Sequence, residues 1–183
     1  MTLEFTREHL DEILEDITYL QDETEALRYV IDTVPYDRAT PGGVSVIDKL
    51  LLLDYLQQDY YRPVFNSAAG RGPGTLKTEP VEKVIDRFKP ESESSLDILA
   101  LLKRISKHRA SLVNILEKIP LTEWEQQVVL NGKKETLFQF AKNLVYRDRQ
   151  ILREIASMVM DFQKEQETQR GLQNRTNSRN DEG

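Results

Sequence analysis

Thr136–Phe162 reads TLFQFAKNLVYRDRQILREIASMVMDF, and this stretch decides the fold. At a helical period it places Leu137, Phe140, Leu144, Arg147, Ile151, Ile155, Met158 and Phe162 on one stripe, in steps of three or four. The spacing predicts one long helix with a buried face. Every member of the stripe is apolar except Arg147. An unpaired charge in a protein interior is costly, so a central arginine needs either an interior acid or an outlet for its head to solvent.

Working outward, the residues just upstream read as a small hairpin. Val128, Val129 and Leu130 lead into Asn131-Gly132, a type I′ turn signal, and Lys133-Lys134 lead out to Thr136, which caps the last helix. Before it, a helix ends at Pro120 and starts at a Ser94 or Ser95 cap. One register buries Leu101, Ile105, His108, Leu112, Ile115 and Ile119; its neighbour buries Ile98, Leu102, Ile105, Arg109, Leu112, Leu116 and Ile119. In either case His108 lies at or beside the core.

At the other end of the chain, Thr6 caps a helix closed by Pro35, with Leu10, Ile13, Ile17, Leu20, Thr24, Leu27, Ile31 and Val34 at bundle spacing. Its outer face is acidic, which is the usual composition of a solvated surface. Ser45-Val-Ile-Asp48 resembles a capping box and opens a second helix running to about Phe65, with Pro63 shortening or kinking its last turn. Residues 66–93 are rich in glycine and proline, with a short helix over Pro80–Phe88. A connection this long can cross the bundle end to end and leave helices two and three parallel. Its GRGPG segment lacks the Lys-Ser/Thr of a phosphate loop.

The expected fold is therefore all-α: a four-helix bundle running up-down-down-up. The helices lie near 6–34, 45–65, 95–119 and 136–165, with a long crossover between the second and third and a small hairpin before the fourth. Residues 1–165 form the bundle. Residues 166–183 are polar throughout, have nothing to bury, and read as a disordered tail.

Composition excludes several functions. The net charge of −6 argues against nucleic-acid binding, which needs a basic face for the phosphates. There is no cysteine, so thiolate chemistry and disulfides are excluded. No apolar run approaches the ~20 residues that span a bilayer, and a cytoplasmic location is expected. The two histidines are His9 and His108.

Three stretches carry a family resemblance. Pro41-Gly-Gly-Val-Ser-Val-Ile-Asp-Lys-Leu50, running on to Asp54, resembles the Pro-Gly-Gly-Trp-Ser-Val opening of helix two in the DinB/YfiT-like superfamily. Lys107 to Trp124 is similar to that family's third helix and the loop after it, and Thr136 to Ile155 is similar to its last helix. The resemblance covers roughly residues 5–162. It implies a four-helix bundle in which one histidine of helix two and an i, i+4 pair on helix four bind a divalent metal. Three ligands leave an open position for water or a thiol, and the family includes metal-dependent transferases and isomerases that use low-molecular-weight thiols.

This sequence departs from the pattern at all three ligands. Leu52 stands at the helix-two position, and Arg147 and Ile151 stand at the helix-four pair. With two histidines in the whole chain, no register restores a triad. The expectation is a bundle without metal or cofactor, non-enzymatic, binding a small ligand or a protein. The alternative is a thiol-dependent transferase or isomerase working without the triad or with substituted ligands, His108 among them. Residues expected around the vacated site are Leu52, Tyr55, Asp59, His108, Tyr146, Arg147, Asp148 and Ile151, with Asp59 or another acid of helices one or two the preferred partner of Arg147. An anionic small molecule near Arg147 and a homodimer are the expected partners; nucleic acid and membrane are not.

Overall fold

The computed structural model describes residues 5–70, 75–90 and 97–180. Helix α1 spans Arg7–Ala26 and buries Leu10, Ile13, Ile17, Leu20 and Thr24. His9 belongs to its cap: the Thr6 backbone N–H donates to His9 Nδ1 at 3.0 Å. The predicted stripe continues beyond Ala26, with Ile31 and Val34 buried, but on two 3-10 turns, Leu27–Tyr29 and Ile31–Thr33. The single helix expected over 6–34 is thus shorter. The β-branched residues Val30, Ile31, Thr33 and Val34 explain this, because they lose rotamer freedom against the preceding helical turn.

Helix α2, Val46–Tyr55, starts at the predicted capping box. Ser45 Oγ accepts from the Asp48 N–H at 3.2 Å, and the Asp48 carboxylate accepts from the Ser45 N–H at 2.8 Å. The helix then widens into a π-helical turn, Leu56–Tyr61, and resumes as α3, Arg62–Gly70. The Arg62 N–H reaches back to Gln57 O. Pro63 is the physical cause: it has no N–H to donate, and its ring crowds the carbonyl four residues back. The helix therefore passes Pro63 instead of ending near Phe65.

The crossover holds more structure than expected. Strand β1, Leu76–Thr78, pairs parallel with β2, Gln127–Leu130, and β2 pairs antiparallel with β3, Lys133–Thr136. Asn131 and Gly132, with φ of 50° and 93°, make the type I′ turn between them. The all-α expectation is corrected to a mostly helical bundle with a three-stranded sheet. Three residues of LKT carry too little alternation to stand out in a sequence, and their pairing partner lies far along the chain. The short helix α4 follows at Val81–Arg87. Most of GRGPG, and the Ser94 and Ser95 caps, lie outside the described residues; Asp97 caps α5, Ile98–Lys118, by accepting from the Leu99 N–H at 3.0 Å.

Helix α6 is Leu137–Asn180, and Thr136 Oγ1 accepts from the Gln139 N–H at its start. It continues past the end expected near 165. Gln166 still donates to Thr33 O, and Arg38 still pairs with Glu165, beside Phe162. Contacts along α1 and α6 rise together: Phe5 with Phe138, Asp16 with Arg149, Thr33 with Gln166. Along α2–α3 and α6 they run in opposite senses, from Lys49 with Glu154 to Tyr61 with Phe140. Phe65 approaches Trp124, while Gln57 approaches Ile105 and Arg109. The core lies between these long elements, built from Leu50, Leu53, Leu56, Phe65, Leu112, Leu116, Phe140 and Ile155.

Candidate functional site

The buried face of α6 carries a charge in the middle, and that charge is Asp148. It is fully buried between Leu144, Val145, Ile151 and Leu152, while Arg147 is partly exposed. The wider buried stripe takes in Ala141, Val145, Asp148, Leu152 and Val159, which a strict three-four count through Arg147 leaves out. The expectation that Arg147 sits on the core stripe is corrected by one position. Its guanidinium turns to α4, pairs with Glu82, donates to Gln150 Oε1 at 3.3 Å, and lies 5.7 Å from the ring of Tyr146. Glu82 takes the role expected of Asp59, which is exposed.

Asp148 is met by Arg109 of α5, 1% exposed, whose Nη2 stands 2.7 Å from Asp148 Oδ2. Arg109 Nε also donates to Gln57 Oε1 at 2.9 Å, and Gln57 Nε2 donates to Ile105 O at 3.1 Å. From Gln57 the network continues to Asp54 of α2. Asp54 accepts from Arg104 Nε at 2.9 Å and from His108 Nδ1 at 2.7 Å. One polar line thus crosses the bundle from the half-exposed His108 and Arg104 to the enclosed Asp148. Burial pushes the Asp148 carboxyl above its ordinary value, and Arg109 pulls it back in part. Tyr61 lies near the same carboxylate. Burial first, and then that negative charge, raise its hydroxyl well above the usual range, and the hydroxyl has no hydrogen-bond partner among the described residues.

A second polar group lines the outer side, where the sheet meets α6. Tyr60 donates to Glu79 O at 2.7 Å, and burial with the charges of Glu135, Glu82 and Glu79 raises its hydroxyl. Burial also raises Glu135, against the opposing hydrogen bond from Asn143. The expected site residues divide between these two groups. His108 and Asp148 belong to the interior line; Arg147 and the exposed Tyr146 belong to the outer group; Tyr55 packs against Phe88, 5.0 Å between ring centroids. Leu52 and Ile151 are buried, at register positions between the Lys49–Glu154 and Tyr61–Phe140 contacts.

Gln57, Glu82 and Asp54 were missed by sequence reasoning. Gln57 opens the polar run Gln57-Gln58-Asp59, which looks like a solvent face until its partner is known. Arg109 was visible in the second register of its helix.

No protein-family model matches the chain, and no curated protein matches it in sequence. A solved structure does match: YfiT from Bacillus subtilis, described as a probable metal-dependent hydrolase with an unusual four-helix bundle topology. The superposition has a TM-score of 0.68 at 12% identity, and covers 88% of this chain and 91% of that one. This chain has the YfiT fold. At that identity the likeness concerns the YfiT fold alone, and the chemistry has to be read from the residues present.

Those residues do not fit a metal. Leu52 and Ile151 offer no donor atom, and Arg147 brings a cation already paired with Glu82. Among the described residues no three histidines, cysteines or carboxylates are grouped to hold an ion. His9 is at the cap of α1, and His108 is bound to Asp54 on the other side of the Arg109 guanidinium in the network.

Proposed function

We propose that this protein is a DinB/YfiT-like bundle that has lost the family's metal centre and works without catalysis, as a small-ligand-binding or protein-interaction module. In this reading the helices run up-down-down-up. Residues 1–165 are the working unit, and the protein is cytoplasmic. The observation that carries the reading is the chemistry at the three family ligand positions: two buried aliphatic side chains and a guanidinium tied to Glu82. YfiT is described as a probable metal-dependent hydrolase. Here Leu52 and Ile151 are buried at two of the three family ligand positions, and the interior carboxylate of the same helix, Asp148, is paired with Arg109. The outer face of Arg147, still partly open, is where an anionic ligand or a second copy would meet it.

Elemental analysis with native mass spectrometry tests this, on protein purified without chelator or metal-affinity tag. The expected result is no stoichiometric transition metal. One zinc or nickel per chain, retained through dialysis, overturns the proposal.

One observation favours the enzymatic alternative. A buried carboxylate, Asp54, holds Nδ1 of a half-exposed histidine, His108, which is how a general base is oriented. A thiol-transfer or hydrolytic activity abolished by His108→Gln would move the assignment to that reading.

A further inference from the structure

We propose that the cleft between α1 and the middle of α6 binds a small zwitterion with an apolar body, of the amino-acid class. The site is independent of the Arg147 face, because Arg147 turns to α4 whereas Arg149 turns to α1. The cleft has a volume of about 450 Å³, within the range that holds small ligands. It lies where the last turns of α1 and the 3-10 turn at Leu27 face the stretch of α6 that carries Arg149, Leu152, Arg153 and Ala156.

Its floor is apolar, formed by Leu27, Leu152, Ala26 and Ala156. Tyr19 stands at the rim, 58% exposed, with no ring contact among the described residues. Its face is available to an aromatic or aliphatic group lying on the floor.

The charges select the ligand. Arg149 is held by Asp16, 2.9 Å away. Arg153 and Glu23 line the same cleft, and neither has an ion pair or hydrogen bond among the described residues, with each other or with any other group. Glu23 is half-buried at the cleft wall, and its carboxylate has no partner among the described residues. A simple anion suits Arg153 but meets Glu23; a simple cation suits Glu23 but meets two arginines. A molecule with a carboxylate for Arg153, an ammonium for Glu23 and an apolar side chain for the floor satisfies both walls.

Isothermal titration of the full chain with phenylalanine, its decarboxylated amine and its des-amino acid tests the proposal, followed by a panel of other apolar amino acids. Saturable binding of one amino acid per chain is expected. Each truncated compound should bind about tenfold more weakly, the worth of one charged hydrogen bond. Arg153→Gln and Glu23→Gln should each cost a similar factor, with the circular dichroism spectrum unchanged. Saturable binding by no amino acid of the panel overturns the proposal. So does equal binding of the des-amino acid, which would mark a plain anion site, or wild-type affinity in both cleft variants.

Discussion

Arg147 and Asp148 are sequence neighbours, and one residue turns about 100° around a helix. That turn separates a solvent-side ion pair from an enclosed one, and the two should respond to substitution very differently. Glu82 is well exposed, so the Arg147–Glu82 pair is screened, and Arg147→Ala should cost less than ~1 kcal/mol. Asp148→Ala strands the buried guanidinium of Arg109 and should cost ~3–5 kcal/mol, most of which the double variant Arg109→Met/Asp148→Leu should recover. Urea denaturation of the three variants checks this ordering; a larger loss for Arg147→Ala than for Asp148→Ala would reverse it. The pH dependence follows from the raised Asp148 carboxyl. The folded state keeps this proton after the unfolded chain has released it near the ordinary value of 3.8. The contribution to stability is therefore full below that value and is lost as pH rises from it through the higher folded value. Asp148→Asn should remove this part of the slope, measured by denaturation between acid and neutral pH; an unchanged slope would place the titration elsewhere. The site was half legible for a related reason. Periodicity showed that α6 holds a charge in its buried face, but RDR offers three charged residues within one turn. Choosing among them needed Arg109, a partner on another helix.

At the scale of elements, signals that are local in sequence were the readable ones. Ser45 and Asp48 lie three apart and cap each other; Asn131-Gly132 can take two positive φ values; Thr136 precedes a long apolar stripe. Each of these appears as expected. Ser45 is buried and exchanges hydrogen bonds with Asp48 in both directions, so Ser45→Ala should cost about 1 kcal/mol, read as a lower denaturation midpoint with an unchanged m-value. A loss within ~0.3 kcal/mol would mean that the first turn of α2 is held by packing alone. The elements that escaped detection depend on distance or on backbone hydrogen bonding. Strand β1 exists because Leu76 meets Val128 across the fold. The π turn before Pro63 leaves no mark in the apolar spacing, and only the proline hints at it.

For the molecule as a whole, the sheet end is where the chain's distant parts meet, and its single tryptophan stands there. Trp124 is fully buried, stacked on Phe5 at 5.0 Å and near Phe65 at 6.4 Å. Phe5 in turn meets Phe138 at the start of α6, and its N–H donates to Glu125 at 2.9 Å. One indole therefore reports on the beginnings of α1 and α6, the middle of α3 and the segment after α5. These contacts close loops that reach from Phe5 to Phe138, and they belong to the same apolar cluster as the middle of the bundle. If that cluster unfolds as one unit, the tryptophan cannot reach water while the helices stand. Its emission should be blue-shifted in the folded protein and should move to the red at the same denaturant concentration at which helical ellipticity is lost. Two distinct midpoints, with fluorescence changing first, would show that the sheet end opens as a separate unit while the Arg109–Asp148 level of the bundle stays folded.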